Sequence, residues 1–356
     1  TLMTAALGVR RVRVPFRVPF ETATGTWTAR ESLIVELRSE DGAHGLGEAP
    51  IDASHSTAVI EELIARLLEG RVEGVAEGIR HAFGAGLGGA LLDLAAPSAA
   101  VLNAVRNGVA VNATIGGGSI DEAIASAATA AGAGFRTLKL KAPSREPAAA
   151  LVDRMLEVRA AVGPGVALRL DANGSWTLDE AVARLRPLAG VLEYVEQPLP
   201  VARRSDAARL RSEAGVPVAA DEAVASPEAA LALLDAGAAD VLVVKPARVG
   251  GPGAVAVIAS AAAERGVPVV ISSLFETGIG LAAGIACAAT LPDVPGWPAD
   301  RRAHGLATAS VLAHDLLAAP LIVEGGRIRA PFGPGSGGLG IVADEAALDR
   351  YGVADA

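Results

Sequence analysis

Thr137-Leu138-Lys139-Leu140-Lys141-Ala142 sets two lysines one residue apart in an apolar frame. Side chains of a β-strand alternate with a period of two, so both ammonium groups fall on one face. Taken alone, such a pair reads as a solvated strand face or a protected edge. The chain beyond residue 142 reverses that reading. Short apolar runs recur at regular intervals and each ends in polar residues: Asp171-Ala172-Asn173, Glu196-Gln197-Pro198, Asp221-Glu222, Lys245-Pro246 and Ser272-Ser273.

These runs predict strands over Val111–Ile115, Thr137–Lys141, Ala167–Leu170, Leu192–Val195, Val216–Ala220, Val241–Val244 and Val267–Ser272, with a weaker eighth around His304–Ala307. Ala-rich helical segments separate them. Ser119-Ile120-Asp121-Glu122 and Thr177-Leu178-Asp179-Glu180 are capping boxes, and Ser226-Pro227 places a cap before a first-turn proline. Seven or eight βα repeats imply a parallel sheet, and their count and spacing favour a closed barrel.

The chain before residue 107 reads differently. Val9–Val18, Ser32–Leu37 and Ala43–Glu48 are expected strands, the last two joined by a turn at Asp41-Gly42. Helices are expected over Thr57–Glu69 and Leu87–Val105. This is an antiparallel sheet followed by helices, an α+β unit. Thr22–Thr28 and Ile51–Ser56 are candidate mobile loops that could cover a substrate. At the other end, a hairpin over Leu321–Ala330 turns at Gly325-Gly326, and a short helix near Asp344–Arg350 comes after it. The expected division is an α+β capping domain at 1–106, a barrel at 107–319 and a segment at 320–356 that returns to the capping domain.

Composition limits the functional classes. Of 356 residues, 51% are hydrophobic and 20% charged, which describes a globular protein with room for a large core. The net charge of −9, with no basic block beyond Arg10-Arg11-Val12-Arg13, argues against a nucleic-acid footprint. The single Cys287 has no intramolecular disulfide partner and fits a reducing compartment. No signal peptide is recognisable. The longest uncharged run, Thr277–Pro292, is too short to span a bilayer, so a cytoplasmic protein without membrane partners is expected.

Chemistry in a βα barrel gathers at the C-terminal ends of its strands. A single acid there would read as a helix cap. Three on consecutive strands, between lysines on the second and sixth, read as a set. Converging carboxylates repel unless a cation sits among them, so Asp171, Glu196 and Asp221 are expected to ligate one hard divalent metal. Mg²⁺ suits an all-oxygen donor set with room for substrate oxygens, with Mn²⁺ as the alternative. A lysine beside other cations has a lowered pKa and can act as a base, and a metal on a substrate carboxylate stabilises an enediolate. Proton abstraction alpha to a carboxylate is the expected reaction.

The combination Lys-X-Lys, Asp-X-Asn, Glu-Gln-Pro, Asp-Glu and Lys-Pro resembles the enolase superfamily, in its muconate-lactonizing-enzyme subgroup; the pairing of a lysine or histidine base with Mg²⁺ is a known feature of that superfamily. The resemblance implies an α/β fold: a modified TIM barrel, (β/α)₇β, with an N-terminal α+β capping domain completed by the C-terminal segment. It implies Asp171, Glu196 and Asp221 as Mg²⁺ ligands supported by Asn173 and Glu222. It implies Lys141 as acid/base on one face and Lys245 as second acid/base or cation on the other. Lys139 would orient Lys141, lower its pKa and contact the substrate carboxylate. The mandelate-racemase branch, with a catalytic His on strand seven, does not fit Ser272-Ser273.

Within the subgroup, Val267–Ala282, His304-Gly305-Leu306-Ala307-Thr308 and Val111–Ile115 resemble the o-succinylbenzoate synthases. Ser272, Ser273, Thr114, Glu276 and Gly305 are the candidate substrate contacts, near helix N-termini suited to a succinyl carboxylate. The implied reaction is dehydration of 2-succinyl-6-hydroxy-2,4-cyclohexadiene-1-carboxylate, a step of menaquinone biosynthesis, with Lys245 staying charged against the ring. The alternatives are an N-succinylamino-acid racemase or dipeptide epimerase, a muconate-type cycloisomerase kept open by Phe275-Glu276-Thr277-Gly278-Ile279, and a catalytically silent binding barrel. No Asp-X-Asp pair of the dipeptide-epimerase kind comes after strand eight. The expected partner is a small carboxylate substrate; a homo-oligomer is compatible with the sequence.

Overall fold

The computed structural model describes residues 4–22, 25–51, 57–69, 75–95, 97–116, 118–142, 146–297, 302–333 and 336–353. Two layers of architecture organise it, an antiparallel sheet with helices and a parallel barrel sheet. β1 (Thr4–Thr22), β2 (Gly25–Ser39) and β3 (His44–Ile51) form the antiparallel sheet in that order. Next along the chain are α1 (Thr57–Leu68), α2 (Glu77–Leu94) and α3 (Ala99–Asn107).

α2 packs almost backbone to backbone on β3. A Cβ on Gly47 would collide with the carbonyl oxygen of Gly86, and the α2 glycines are what allow this approach. The single helix expected over Leu87–Val105 is therefore corrected in two ways. α2 starts ten residues earlier than expected, because packing against β3 and the barrel compensates the low helix propensity of its glycines. The helix also breaks between Leu94 and Ala99. Pro97 disfavours helical backbone before it, and the Ser98 side chain then caps α3 by accepting from Val101 N–H. The expected loop Thr22–Thr28 is corrected as well: Thr22 ends β1, Gly25–Thr28 belong to β2 and Phe20 pairs with Trp27, while Ala23 and Thr24 lie outside the described residues. Of the loop expected at Ile51–Ser56, residues 52–56 lie outside the described residues.

After the two-residue β4 (Val109–Ala110), the parallel strands are β5 (Ala113–Ile115), β6 (Thr137–Lys141), β7 (Ala167–Asp171), β8 (Tyr194–Glu196), β9 (Val218–Ala220), β10 (Val241–Val244) and β11 (Val269–Ile271). They are hydrogen-bonded in sequence order as a seven-stranded sheet. The interleaved helices are α4 (Ile120–Gly132), α5 (Ala148–Val162), α6 (Leu178–Leu185), α7 (Ala207–Ala214), α8 (Pro227–Asp235), α9 (Pro246–Val249), α10 (Pro252–Glu264) and α11 (Gly278–Ala289). Both capping boxes form: Ser119 and Thr177 each accept from the N–H three residues on and receive the reciprocal glutamate.

The expected eighth strand shrinks to two bridges. His304 pairs with Val111 and Gly305 with Ser272, so two residues stitch the first barrel strand region to the last. One ladder acceptor is supplied by a side chain: His304 Nδ1 accepts from Ile271 N–H at 3.0 Å. In β6 the alternation is direct. Leu138 and Leu140 are buried against the helices, while Lys139 and Lys141 take the opposite, barrel-lining face. Tyr194, Ala219 and Val243 occupy that face two residues before Glu196, Asp221 and Lys245, and pack with Val270 and Trp297.

β12 (Ile322–Glu324) and β13 (Arg327–Arg329) form the expected hairpin, and β13 pairs antiparallel with β4. α12 (Glu345–Tyr351) reaches the first sheet: Arg10 holds Glu345 at 2.8 Å and Gly352 bridges Val12. Among the described residues no single helix is long and apolar enough to cross a membrane.

Candidate active site

Register places the charged residues side by side. Lys141 lies opposite Asp171, and Asp171 opposite Glu196. Asp221 comes directly after β9 and Lys245 directly after β10, so the order round the sheet is lysine, three acids, lysine. Asp171, Glu196 and Asp221 are each 1% exposed.

The ammonium groups neutralise this charge. Lys139 Nζ donates to Glu196 Oε1 at 3.0 Å and stands 3.1 Å from Asp171 Oδ2. Lys141 Nζ donates to Asp171 Oδ2 at 2.7 Å and to Asn173 Oδ1 at 2.8 Å. Lys245 Nζ donates to Asp221 Oδ2 at 2.5 Å. Lys141 has the most open side chain of the three, 31% exposed against 12% for each of the others.

Burial governs the electrostatics. Burial alone would push the Lys139 ammonium toward its neutral form, but Glu196, Asp171 and Asp221 outweigh it and hold its pKa well above the ordinary value. Burial pushes the Glu196 carboxyl up to about 7; Lys139 opposes the shift, while Asp171 and Asp221 add to it. For Asp171 and Asp221 burial acts in the same upward direction, but Lys139 and Lys141, and Lys245 and Arg248, prevail and hold both below the usual carboxylate range.

Three buried carboxylates on adjoining strand ends form an all-oxygen donor set, chemically suited to a hard divalent cation. The upward shift at Glu196 comes first from burial and only then from Asp171 and Asp221, and a cation among the three would oppose both causes. Lysines and Arg248 are paired with these carboxylates, and among the described residues no three acidic, histidine or cysteine side chains are gathered in metal-ligating geometry.

Supporting contacts surround the acids. Asn173 Nδ2 donates to Glu222 Oε1 at 3.0 Å, linking the residues behind Asp171 and Asp221. Asn173 and Gln197 hold φ values of 46° and 40°, left-handed conformations rare outside glycine and concentrated at functional sites. Gln197 Oε1 accepts from Asp221 N–H and Ala223 N–H, both at 3.1 Å, and so aims the Asp221 turn. Arg248 Nη1 donates to Asp221 Oδ1 at 3.0 Å. Sequence reasoning assigned no role to Arg248; its signal was a place three residues after Lys245, on the same side of the one-turn α9.

The candidate substrate contacts are dispersed. Thr114 is exposed and lies opposite Lys139. Ser272 and Ser273 are buried, and the Ser273 hydroxyl is 2.8 Å from that of Thr308. Gly305 N–H donates to Ile271 O as part of the barrel closure. Glu276 is 5% exposed and accepts from Leu274 N–H at 2.6 Å. Burial first, and Glu48 second, push its carboxyl up to about 7. Ser272, Ser273 and Glu276 line a cavity of about 20 Å³ together with Glu48, Pro246 and Gly280. Glu48, from β3, is a further residue that sequence reasoning missed.

Comparison with known proteins points the same way. The family described as enolase C-terminal domain-like matches residues 122–347, more than half of the chain. The chain is 42% identical over 220 residues to the o-succinylbenzoate synthase of Thermobifida fusca, a match covering 61% of this chain and 65% of that protein. It is 42% identical over 195 residues to the o-succinylbenzoate synthase of Mycobacterium ulcerans, covering 54% and 55%. These matches span less than two thirds of either relative's length. In structure, the chain is similar to a muconate lactonizing enzyme from Pseudomonas fluorescens complexed with muconolactone, at a TM-score of 0.83, 25% identity and 99% and 100% coverage. It is also similar to a substrate-liganded L-Ala-D/L-Glu epimerase from Bacillus subtilis, at a TM-score of 0.79, 29% identity and 96% and 99% coverage.

Proposed function

This chain belongs to the enolase superfamily, and from that membership we propose that it is a metal-dependent lyase that dehydrates 2-succinyl-6-hydroxy-2,4-cyclohexadiene-1-carboxylate to o-succinylbenzoate, a step of menaquinone biosynthesis. The observation that carries the chemistry is the order round the sheet: Lys141 and Lys245 flank three strand ends bearing Asp171, Glu196 and Asp221. The likeness to the synthases supports the choice of substrate.

In this reading Asp171, Glu196 and Asp221 would hold Mg²⁺ or Mn²⁺. The cation would supply positive charge against the negative charge that develops on the substrate carboxylate as its α-proton leaves. Lys141, the most open of the lysines, takes that proton on Nζ. Asp171 and Asn173, its two hydrogen-bond partners, aim the Nζ. The same Nζ returns the proton to the departing hydroxyl group, so that a C–H and a C–O bond break and water leaves. One base is enough for such a syn elimination. Lys245 remains an ammonium beside the ring as aromaticity develops. Lys139 keeps its charge between Asp171 and Glu196 and offers a further donor toward the substrate carboxylate.

The test is turnover of the cyclohexadiene by purified protein with Mg²⁺, read as loss of diene absorbance, with Lys141→Ala as control. Lys141-dependent turnover at a kcat/KM of at least ~10⁴ M⁻¹s⁻¹ supports the synthase. Absence of turnover removes it.

A second reading, racemisation or epimerisation of an N-acylated or dipeptide substrate, draws on the two lysines lying on opposite sides of the acids, as a two-base exchange at a stereocentre requires. Deuterium entering the α-carbon of N-succinyl amino acids or dipeptides in D₂O, without dehydration of the diene, would select it.

A further inference from the structure

The loop after β11 is held from outside the barrel. Glu48, on β3 and 3% exposed, directs its carboxylate at the start of α11. Thr277 N–H donates to Glu48 Oε2 at 2.9 Å, Thr277 Oγ1 at 2.7 Å and Gly280 N–H at 3.1 Å. Ser32 Oγ, from β2, donates to Oε1 at 2.7 Å. Four donors from two parts of the molecule therefore converge on one carboxylate. The fit is close: a Cβ on Gly280 would stand 2.6 Å from Glu276 Cβ and 3.2 Å from Glu48 Oε2. Arg30 strengthens the seam by donating to the carbonyl oxygens of Ile51 and Leu274. Pro246 and Ala247, the residues directly after Lys245, line the same cavity as Glu48, Ser273 and Glu276.

We propose that Glu48 is a positioning residue: by binding Thr277 and Gly280 it sets the 272–277 loop against the Lys245–Pro246 turn, so the antiparallel sheet fixes one wall of the site. A barrel strand end alone leaves that loop free to choose its path. Oε2 takes three of the donors and Oε1 the fourth, so only a carboxylate accepts from all four; a glutamine loses the charge and must turn its NH₂ toward either Ser32 Oγ or the α11 N–H groups. The consequence for turnover rests on the proposed synthase function; the consequence for the loop and for Lys245 does not.

The experiment compares wild type with Glu48→Gln and Thr277→Ala. Hydrogen exchange by mass spectrometry reads residues 274–284, and acetic anhydride labelling reads the ratio of Lys245 to Lys141 modification. Glu48→Gln is expected to speed exchange in that segment about tenfold while β6–β10 keep their protection. The labelling ratio is expected to change about threefold, and kcat to fall about 10- to 100-fold, as misplacement by about an ångström does. Unchanged exchange, an unchanged labelling ratio, or faster exchange with wild-type kcat each overturns the proposal. Should Glu48→Gln fail to fold, Thr277→Ala removes a single donor and is expected to move both readouts the same way by less. If wild type does not turn over the diene, the synthase reading fails by itself, and exchange and labelling still decide the role of Glu48.

Discussion

Lys245 and Asp221 meet at 2.5 Å across the ends of two neighbouring strands, and Arg248 binds the other carboxylate oxygen at 3.0 Å. Asp221 is thus held between two cations. Removing Lys245 leaves Arg248 to balance the buried charge, so the fold should survive. Lys245→Ala is expected to keep wild-type circular dichroism and to lose about 10³-fold in kcat, as loss of a charge beside a developing transition state does. Turnover within about tenfold of wild type would place Lys245 away from the reaction.

Lys139 is in a different position, because it is shared between Asp171 and Glu196. Lys139→Met leaves Glu196 without its ammonium partner and Asp171 with Lys141 only. Breaking a buried charge pair from one side costs about 3–5 kcal/mol. The variant should unfold at lower temperature in metal-free buffer. Excess Mg²⁺ should recover much of the loss by binding the folded state alone, and should raise the Tm of wild type as well. A Tm of wild type and variant that is indifferent to Mg²⁺ would count against the proposed metal ligands.

His304 ties the barrel closure to pH. Burial first, then Arg169 and Arg302, push its imidazole down to about 3. The folded form therefore holds fewer protons than the unfolded one between pH 3 and the ordinary histidine value of about 6.5. Its contribution is present in full above about pH 6.5 and is lost as pH falls from there toward 3. Urea midpoints of wild type should drop over that range more steeply than those of His304→Asn. Since the site carboxylates titrate in both proteins, the difference between the curves isolates His304. Parallel curves from pH 7 to 4.5 would dismiss it.

Gly47 tests the packing of α2 on β3. Gly47→Ala drives a methyl group into the Gly86 carbonyl, and neither backbone can yield without displacing its own element. Overpacking of this kind costs about 3 kcal/mol. The variant should show a markedly lower urea midpoint, whereas Gly165→Ala, where nothing lies within 4 Å, should cost little. Equal midpoints for the two would contradict the close approach.

Much of this architecture could be read from local pattern. The period-two alternation of Leu138, Lys139, Leu140 and Lys141 separates the face packed on the helices from the face lining the barrel, and Leu168, Arg169, Leu170 and Asp171 repeat it in β7. Capping boxes at Ser119 and Thr177 mark helix starts with residues three positions apart, and both form as written. Such signals are short-range, so the linear chain contains them whole.

Other features depend on residues brought together only by folding. The glycines of α2 look like helix breakers until β3 and the barrel press against them. The eighth strand reduces to His304 and Gly305 because flanking strands and one imidazole supply its hydrogen bonds. Arg248 acquires meaning from Asp221, and Glu48 from Thr277, which lies 229 positions further along the chain. The sequence by itself determined the strand-and-helix alternation, the lysine-and-acid order and the family it resembles. The tertiary structure decided which charge neutralises which, where the loops are anchored and how the barrel closes. The physical reason is reach: periodicity and capping act within a few residues, whereas ion pairs and close packing are settled by distances that exist only in the folded chain.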